Sequence, residues 1–240
     1  MAKPPRPWIV TPHQPLQQLE DNLWVITSVV PGFPPGVPFD RRMTIVRLSD
    51  GRLLFHNAVP VDDPTLQQIR SLGTPAILLI PHHLHCIDGA AFREKLGLRS
   101  YSSAKSLDKT RQVMPIDGPF EEAPRDPAYS LVTLPSSRFG EVGVVVRSGS
   151  HSSLSVCDIV THVPHAGGVV GLMFRTMGLT GGALRLPTLV RLRAFPDKAQ
   201  AKADLMALAA LPDLVRVIPS HGPIVDHDPS GQLRRAAEQL

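Results

Sequence analysis

Short runs rich in β-branched residues alternate with stretches of helical periodicity along this 240-residue chain, and that alternation limits it to a layered α/β architecture. "NLWVITSVV" (22–30) reads as a strand, and "MTIVRLSDGRLLFHNAV" (43–59) as a hairpin around the turn Ser49-Asp50-Gly51. Between them "PGFPPGVPFDRR" (31–42) is expected to be a semi-rigid surface loop, because its prolines fix φ and remove donors. "DPTLQQIRSLG" (63–73) sets Leu66, Ile69 and Leu72 at helical spacing, with Asp63 as N-cap and Gly73 as stop. "PAILLI" (75–80) is a buried strand and "DGAAFREKLG" (88–97) a short helix. The weakly patterned 100–127 reads as helix, then loop. Strand signals return in "AYSLVTL", "EVGVVVR" and "SLSVCDIV", followed by an amphipathic helix (196–212), a strand (214–220) and a closing helix from Pro229. "GGVVGLMFRTMGLTGGAL" (167–184) is apolar but broken by glycines and carries Arg175, so it reads as a lid or an interaction surface. No internal repeat is visible, and 1–240 reads as one domain behind a proline-rich lead (1–20).

A hydrophobic content of 42% and a charged content of 19% belong to an ordinary globular protein. The net charge of +4 is spread out, with no basic tract interleaved with aromatics, so nucleic acid is not expected as a partner. No apolar run nears the ~20 residues of a membrane span, and the start lacks the apolar core of a signal peptide. Cys86 and Cys157 cannot form a disulfide framework and read as buried thiols. The expectation is a cytoplasmic protein acting on a small molecule, without membrane or nucleic-acid partners. Its oligomeric state is open, with a homodimer as one option.

Chemistry concentrates in "IPHHLHCIDG" (80–89), just after the buried strand. In an extended turn residues i and i+2 point the same way, so His83 and His85 are expected to meet one ion while His82 points elsewhere. Downstream, "RVIPSHGPIV" places His221 after a strand, and "LSVCDIV" places Asp158 at another strand end. His, His, Asp and His drawn from three segments form a metallohydrolase pattern.

In order and spacing these residues resemble the metallo-β-lactamase fold superfamily, from about Leu23 to the C-terminus. That family has a buried strand ending in His-x-His-x-Asp-His, a Gly-His turn, a strand-end Asp and a final His-Gly turn. Here His83-Leu84-His85, Asp158 and His221-Gly222 match. The resemblance implies a four-layer αββα sandwich, two mixed β-sheets flanked by helices, with the ligands at one edge between the sheets. It also exposes departures. Ile87 stands at the family's Asp, Asp88 at its second His, and Ser137 where the third histidine is expected; His151, which a hairpin could bring close, is the best substitute for that histidine.

The resemblance therefore implies a reduced, mononuclear site. His83, His85, Asp158 and His221 would hold one divalent ion, zinc first, with iron or manganese as alternatives. Asp158 and Asp88 would be the catalytic carboxylates, Asp158 as ligand or general base and Asp88 as orienter. A metal-bound water would attack an ester, thioester, lactone or amide. Arg41 and Arg42 make an anionic substrate conceivable. The alternative is a non-catalytic or ligand-binding member of the fold that has lost metal and chemistry.

Overall fold

Side-chain parity along the early strands decides how the molecule layers. In the computed structural model, which describes residues 6–30, 39–165 and 167–240, Leu23 and Val25 alternate with Trp24 and Ile26 and all four are buried. A strand buried on both faces needs a layer on each side. Leu23 and Val25 pack with Val46, Leu54, Ile77 and Leu79 against Val142, Val144, Val146 and Ile218 of a second sheet. Trp24 and Ile26 pack with Ile45, Phe55, Leu78 and Ile80 against helix residues Leu66, Ile69 and Phe92.

The first sheet runs in chain order: β1 (Gln17–Glu20), β2 (Leu23–Val29), β3 (Asp40–Arg47), β4 (Arg52–His56), β5 (Thr74–Ile80), β6 (Arg99–Ser102) and β7 (Gly118–Pro119). Pairing is antiparallel through β4 and parallel from β4 to β7. The second sheet has the order β11-β10-β9-β8, built from β8 (Tyr129–Thr133), β9 (Val142–Ser148), β10 (His151–Val156) and β11 (Leu214–Pro219). Only its β10–β11 pair is parallel. Helices α1 (Asp63–Leu72) and α2 (Gly89–Leu96) cover the first sheet, and a short α3 (Leu107–Arg111) follows β6. After α4 (Gly168–Thr176) and α5 (Thr188–Arg193), helices α6 (Lys198–Ala209) and α7 (Pro229–Ala237) cover the second sheet. There Leu205, Leu208, Leu233 and Ala236 meet Leu154, Val156 and Val217. The expected αββα sandwich of two mixed sheets is the observed one.

Local details differ from the sequence expectations. The loop expected over 31–42 lies outside the described residues at 31–38, and its last three residues begin β3. The α1 cap is Asp62, whose carboxylate accepts the Thr65 N–H at 2.9 Å, one residue before the expected Asp63. The stretch 100–127 holds two parallel strands, β6 and the edge strand β7, besides the expected helix. Among the described residues no helix is long and apolar enough to cross a membrane.

Phe92 anchors α2 to the first sheet. Its ring stacks on Trp8 at 5.5 Å and meets Phe55 edge-on at 5.2 Å, with no solvent exposure. Phe92→Ala should lower the unfolding free energy by about 3–5 kcal/mol, through lost burial and the cavity left behind. Denaturant titration measures it, and a loss below about 1 kcal/mol would mean the site collapses around the gap.

Candidate metal centre

β10 and β11 are parallel neighbours, so Cys157-Asp158 and Ser220-His221 leave the second sheet at the same end. The segment after β5, in the first sheet, meets them there.

That segment is not extended. His83–His85 forms one 3₁₀ turn, closed by the His85 N–H donating to the His82 carbonyl at 2.9 Å. A 3₁₀ turn repeats every three residues, so i and i+3 share a side and i and i+2 do not. His82 and His85 accordingly face inward with ring centroids 5.0 Å apart. His83, the expected ligand, turns away. Its N–H donates to Ser106 Oγ at 2.8 Å, and its Nδ1 lies 3.4 Å from the same hydroxyl. The inward residue is therefore His82, which the extended-turn expectation had set aside.

Asp158 sits on a turn held by a buried carboxylate. Glu141 accepts the N–H groups of Cys157 at 2.6 Å, Asp158 at 2.9 Å and Ile159 at 2.9 Å, donors that the end of β10 would otherwise leave unpaired. His221 is placed by Asp40 at the start of β3. The Asp40 carbonyl accepts His221 Nδ1–H at 2.5 Å, and its carboxylate accepts the Gly222 N–H at 2.7 Å. Gly222 has φ +90°, and a Cβ there would fall 1.9 Å from the His162 carbonyl, so only glycine fits the turn. Phe39 stacks on the His221 ring at 4.5 Å.

The three imidazoles converge on one carboxylate. His82 Nε2 lies 3.2 Å from Asp158 Oδ2, and His85 Nε2 and His221 Nε2 each lie 3.2 Å from Oδ1. Cys157 belongs to the same cluster: one ligand atom each from His82, His85, Cys157 and Asp158 lie within 4.8 Å of one another. His221 joins through its contact with Asp158 Oδ1.

Burial opposes charge on every member, and the outcome varies. At Asp158 it is outweighed by His85, His221 and His82, which hold the carboxyl well below its ordinary range. At His82 and His221 burial is likewise outweighed, chiefly by Asp158, and both pKa values rise. At His85 burial prevails and the pKa falls. Burial pushes Glu141 up to about 7, and together with Asp158 and Glu141 it pushes the Cys157 thiol well above its usual range. Beneath the cluster, burial lowers His56 to about 3, so that ring stays neutral with its Nδ1 2.8 Å from Ser155 Oγ.

Proton positions test whether a cation fits. His221 Nδ1–H is committed to the Asp40 carbonyl, so the lone pair of the neutral ring is on Nε2, facing a carboxylate oxygen at 3.2 Å. Two electron-rich atoms so placed need a proton or a metal ion between them. His82 is less ready. Its Nδ1 accepts the Leu84 N–H at 3.3 Å, which puts the proton of the neutral ring on Nε2. That Nε2 is buried near Asp158 without hydrogen-bond geometry, so it too lacks a good partner. Three imidazoles and a carboxylate are a donor set suited to a divalent transition ion, and these residues fit one.

The other expected residues lie apart from this cluster. Asp88 is buried in an ion pair with Arg41. It lines a cavity of about 230 Å³ together with His85, Asp158, His221, Asn57 and Phe39. Ile87 is exposed at the rim. Ser137 is buried, and its neighbour Ser136 is tied to Asp204 at 2.5 Å. In this segment it is Phe139 that reaches the site, stacking on His82 at 5.8 Å. His151 begins β10, at the opposite end of that strand from Asp158. Sequence reasoning missed His82 and Glu141. Only the three-residue spacing of His82 and His85 could have pointed to the first.

No family model matches the chain, and no curated protein does. Solved structures do. DIM-1 metallo-β-lactamase is 15% identical with a TM-score of 0.61, covering 95% of this chain and 99% of its own. The metallo-β-lactamase FIM-1 from Pseudomonas aeruginosa, in its mono-zinc form, is 17% identical at 0.61, with 96% of each chain covered. A metallo-β-lactamase from Pontibacter korlensis is 14% identical at 0.62, covering 94% and 99%. Identity this low speaks to architecture, and by its architecture this chain has the metallo-β-lactamase fold.

Proposed function

We propose that this protein is a metal-dependent hydrolase with a single-ion site, acting on an ester, thioester, lactone or amide carbonyl. The observation that carries the reading is the convergence of three imidazole Nε2 atoms on Asp158, with the His221 lone pair directed at the carboxylate. His82, His85, Asp158 and His221 would hold the ion, zinc first, with iron or manganese as alternatives. Such an ion supplies Lewis acidity at a carbonyl and a water-derived nucleophile at neutral pH.

The chain's own groups do the rest. Asp158, kept ionised by its imidazoles, orients them and supplies the charge that attracts a cation. Asp40 fixes the His221 tautomer. Phe39, Leu84 and Ile87 line the cavity and shed water from it, and the Asn57 amide is tied to the Arg42 carbonyl and the Ala58 N–H. Asp88 balances Arg41 and does not orient a ligand. Burial keeps Cys157 a protonated thiol, so it stands beside the donor set.

A second reading, a ligand-binding member of the fold without metal chemistry, is favoured by one observation. The residue at the family's second His, Asp88, is ion-paired with Arg41 through Oδ2. Metal analysis decides between the two. Protein purified without chelator should carry about one equivalent of zinc, iron or manganese, or take it up on addition. Metal-poor protein that recovers none would establish the second reading.

Single variants resolve the ligand set. His221→Ala and His85→Ala should abolish stoichiometric metal retention, since the remaining donors hold a divalent ion poorly. His82→Ala should cost less than His221→Ala, because its Nε2 must first give up a proton. His83→Ala and Cys157→Ala should bind like wild type. Competition with a chromophoric chelator reads each affinity, and a loss confined to His83→Ala would return the site to the extended-turn arrangement.

Glu141→Gln tests the turn that carries Asp158. An amide nitrogen cannot accept an N–H, so at least one of the three bonds is lost and Asp158 is less firmly placed. Metal affinity should fall about 10–100-fold with the circular dichroism spectrum unchanged. Wild-type affinity in this variant would show that β10 positions Asp158 without the buried carboxylate.

A further inference from the structure

We propose that helix α4 docks this protein onto an anionic phospholipid surface. The helix turns apolar side chains to solvent where a globular protein would bury them. Val169 is 85% exposed and Leu172 55%, and Met173 and Met177 are exposed beside them. Positions 169, 172, 173 and 177 fall at helical spacing, so they form one stripe along the outside of the helix and its first residue beyond. Phe174 and Gly171 take the opposite, buried side. The end of α4 abuts α5 so closely that a Cβ on Gly178 would lie 2.0 Å from Thr188 Oγ1, and α5 exposes Leu192.

Charge identifies the occupant. Between Asp158 and Asp197 the sequence has no Asp or Glu, yet it has Arg175, Arg185, Arg191 and Arg193. Arg175 on α4 and Arg193 on α5 are exposed, whereas Arg185 and Arg191 are held by the Thr180 and Gln239 carbonyls. An apolar stripe flanked by arginines in an acid-free segment complements a layer of anionic headgroups over hydrocarbon. A second copy fits poorly, since pairing this face with itself would bring arginines together with no carboxylate to offset them.

The contact is peripheral, as a nine-residue helix is too short to cross a bilayer. The buried side of α4, opposite the stripe, packs toward the candidate site: Phe174 meets Phe39 edge-on at 5.9 Å, and Phe39 stacks on His221. Docking α4 would therefore hold the candidate site one helix away from the lipid. The docking itself depends on neither metal nor hydrolysis.

The test is sedimentation of the full chain with vesicles of equal parts phosphatidylcholine and phosphatidylglycerol, against vesicles of phosphatidylcholine alone. Wild type should sediment with the mixed vesicles, poorly with the neutral ones, and less as salt is raised. Leu172→Glu, at an exposed position, should lower partitioning about tenfold or more. Met206→Glu makes the same charge change on the exposed side of α6 and should leave partitioning unchanged. The proposal is overturned if wild type ignores both vesicles, as it would were the partner an acidic protein. It is also overturned if Leu172→Glu and Met206→Glu behave alike, which would make the binding a matter of net charge. A wild type that elutes as a dimer, with Leu172→Glu as a monomer, would assign the face to a second copy and overturn it as well.

Discussion

A buried carboxylate costs several kcal/mol unless its surroundings compensate, and the edge where the two sheets meet is organised around that requirement at Asp158. The compensation comes from both sheets. His82 and His85 follow β5 in the first sheet, whereas His221 shares the second sheet with Asp158. Most of the contact between the sheets is aliphatic and non-directional. At this edge it becomes directional. The hydroxyl of Ser155, two residues before Cys157, meets Thr44 Oγ1 at 2.9 Å and His56 Nδ1 at 2.8 Å, so a polar link between the sheets lies directly under the cluster. Such links must be satisfied to be tolerated, and in return they fix how one sheet sits on the other.

Three consecutive residues at the start of β3 carry much of that fixing. Asp40 holds the His221-Gly222 turn, Arg41 pairs with Asp88 ahead of α2, and Arg42 donates to the Pro219 carbonyl at the end of β11. Burial lowers the Arg42 pKa, yet a guanidinium starts so high that it keeps its charge. One short stretch of the first sheet thus reaches both the helix that follows the histidine turn and the strand that delivers the last histidine. The order in which the candidate ligands occur along the chain says nothing of this.

That contrast explains which parts of the molecule were legible in the sequence. Strands such as Leu23–Val29 and Thr74–Ile80 announce themselves because burial on both faces demands continuous apolar runs. Asp158 and His221 were legible as strand-end residues, since a strand end fixes direction whatever follows. The choice between His82 and His83 was not. It turns on whether residues 82–85 close a 3₁₀ bond, and that is settled by Ser106 catching the His83 N–H from a different part of the chain. The short strands β6 and β7 were hidden for a related reason. They are short and include buried serines, Ser100 and Ser102, whose hydroxyls donate to the Pro115 and Ile80 carbonyls. Their pairing is parallel and non-local, so no local pattern marks them. Nothing in the sequence marks Glu141, because three backbone N–H groups on one carboxylate exist only after β9 and β10 have paired.

On the proposed function, the charges around the cavity suit one ion better than two. Asp88 could have served a second cation, but Arg41 already neutralises it, and both are buried. Glu141 has committed both oxygens to backbone donors and faces the turn. Asp158 is then the one carboxylate of the cluster left to meet a metal, and the imidazoles around it are neutral ligands once their protons are displaced. A single negative charge with three nitrogen donors balances one divalent ion far better than two, whose mutual repulsion in a buried site would go unopposed. The Arg41–Asp88 pair therefore removes the negative charge that would have bound another ion.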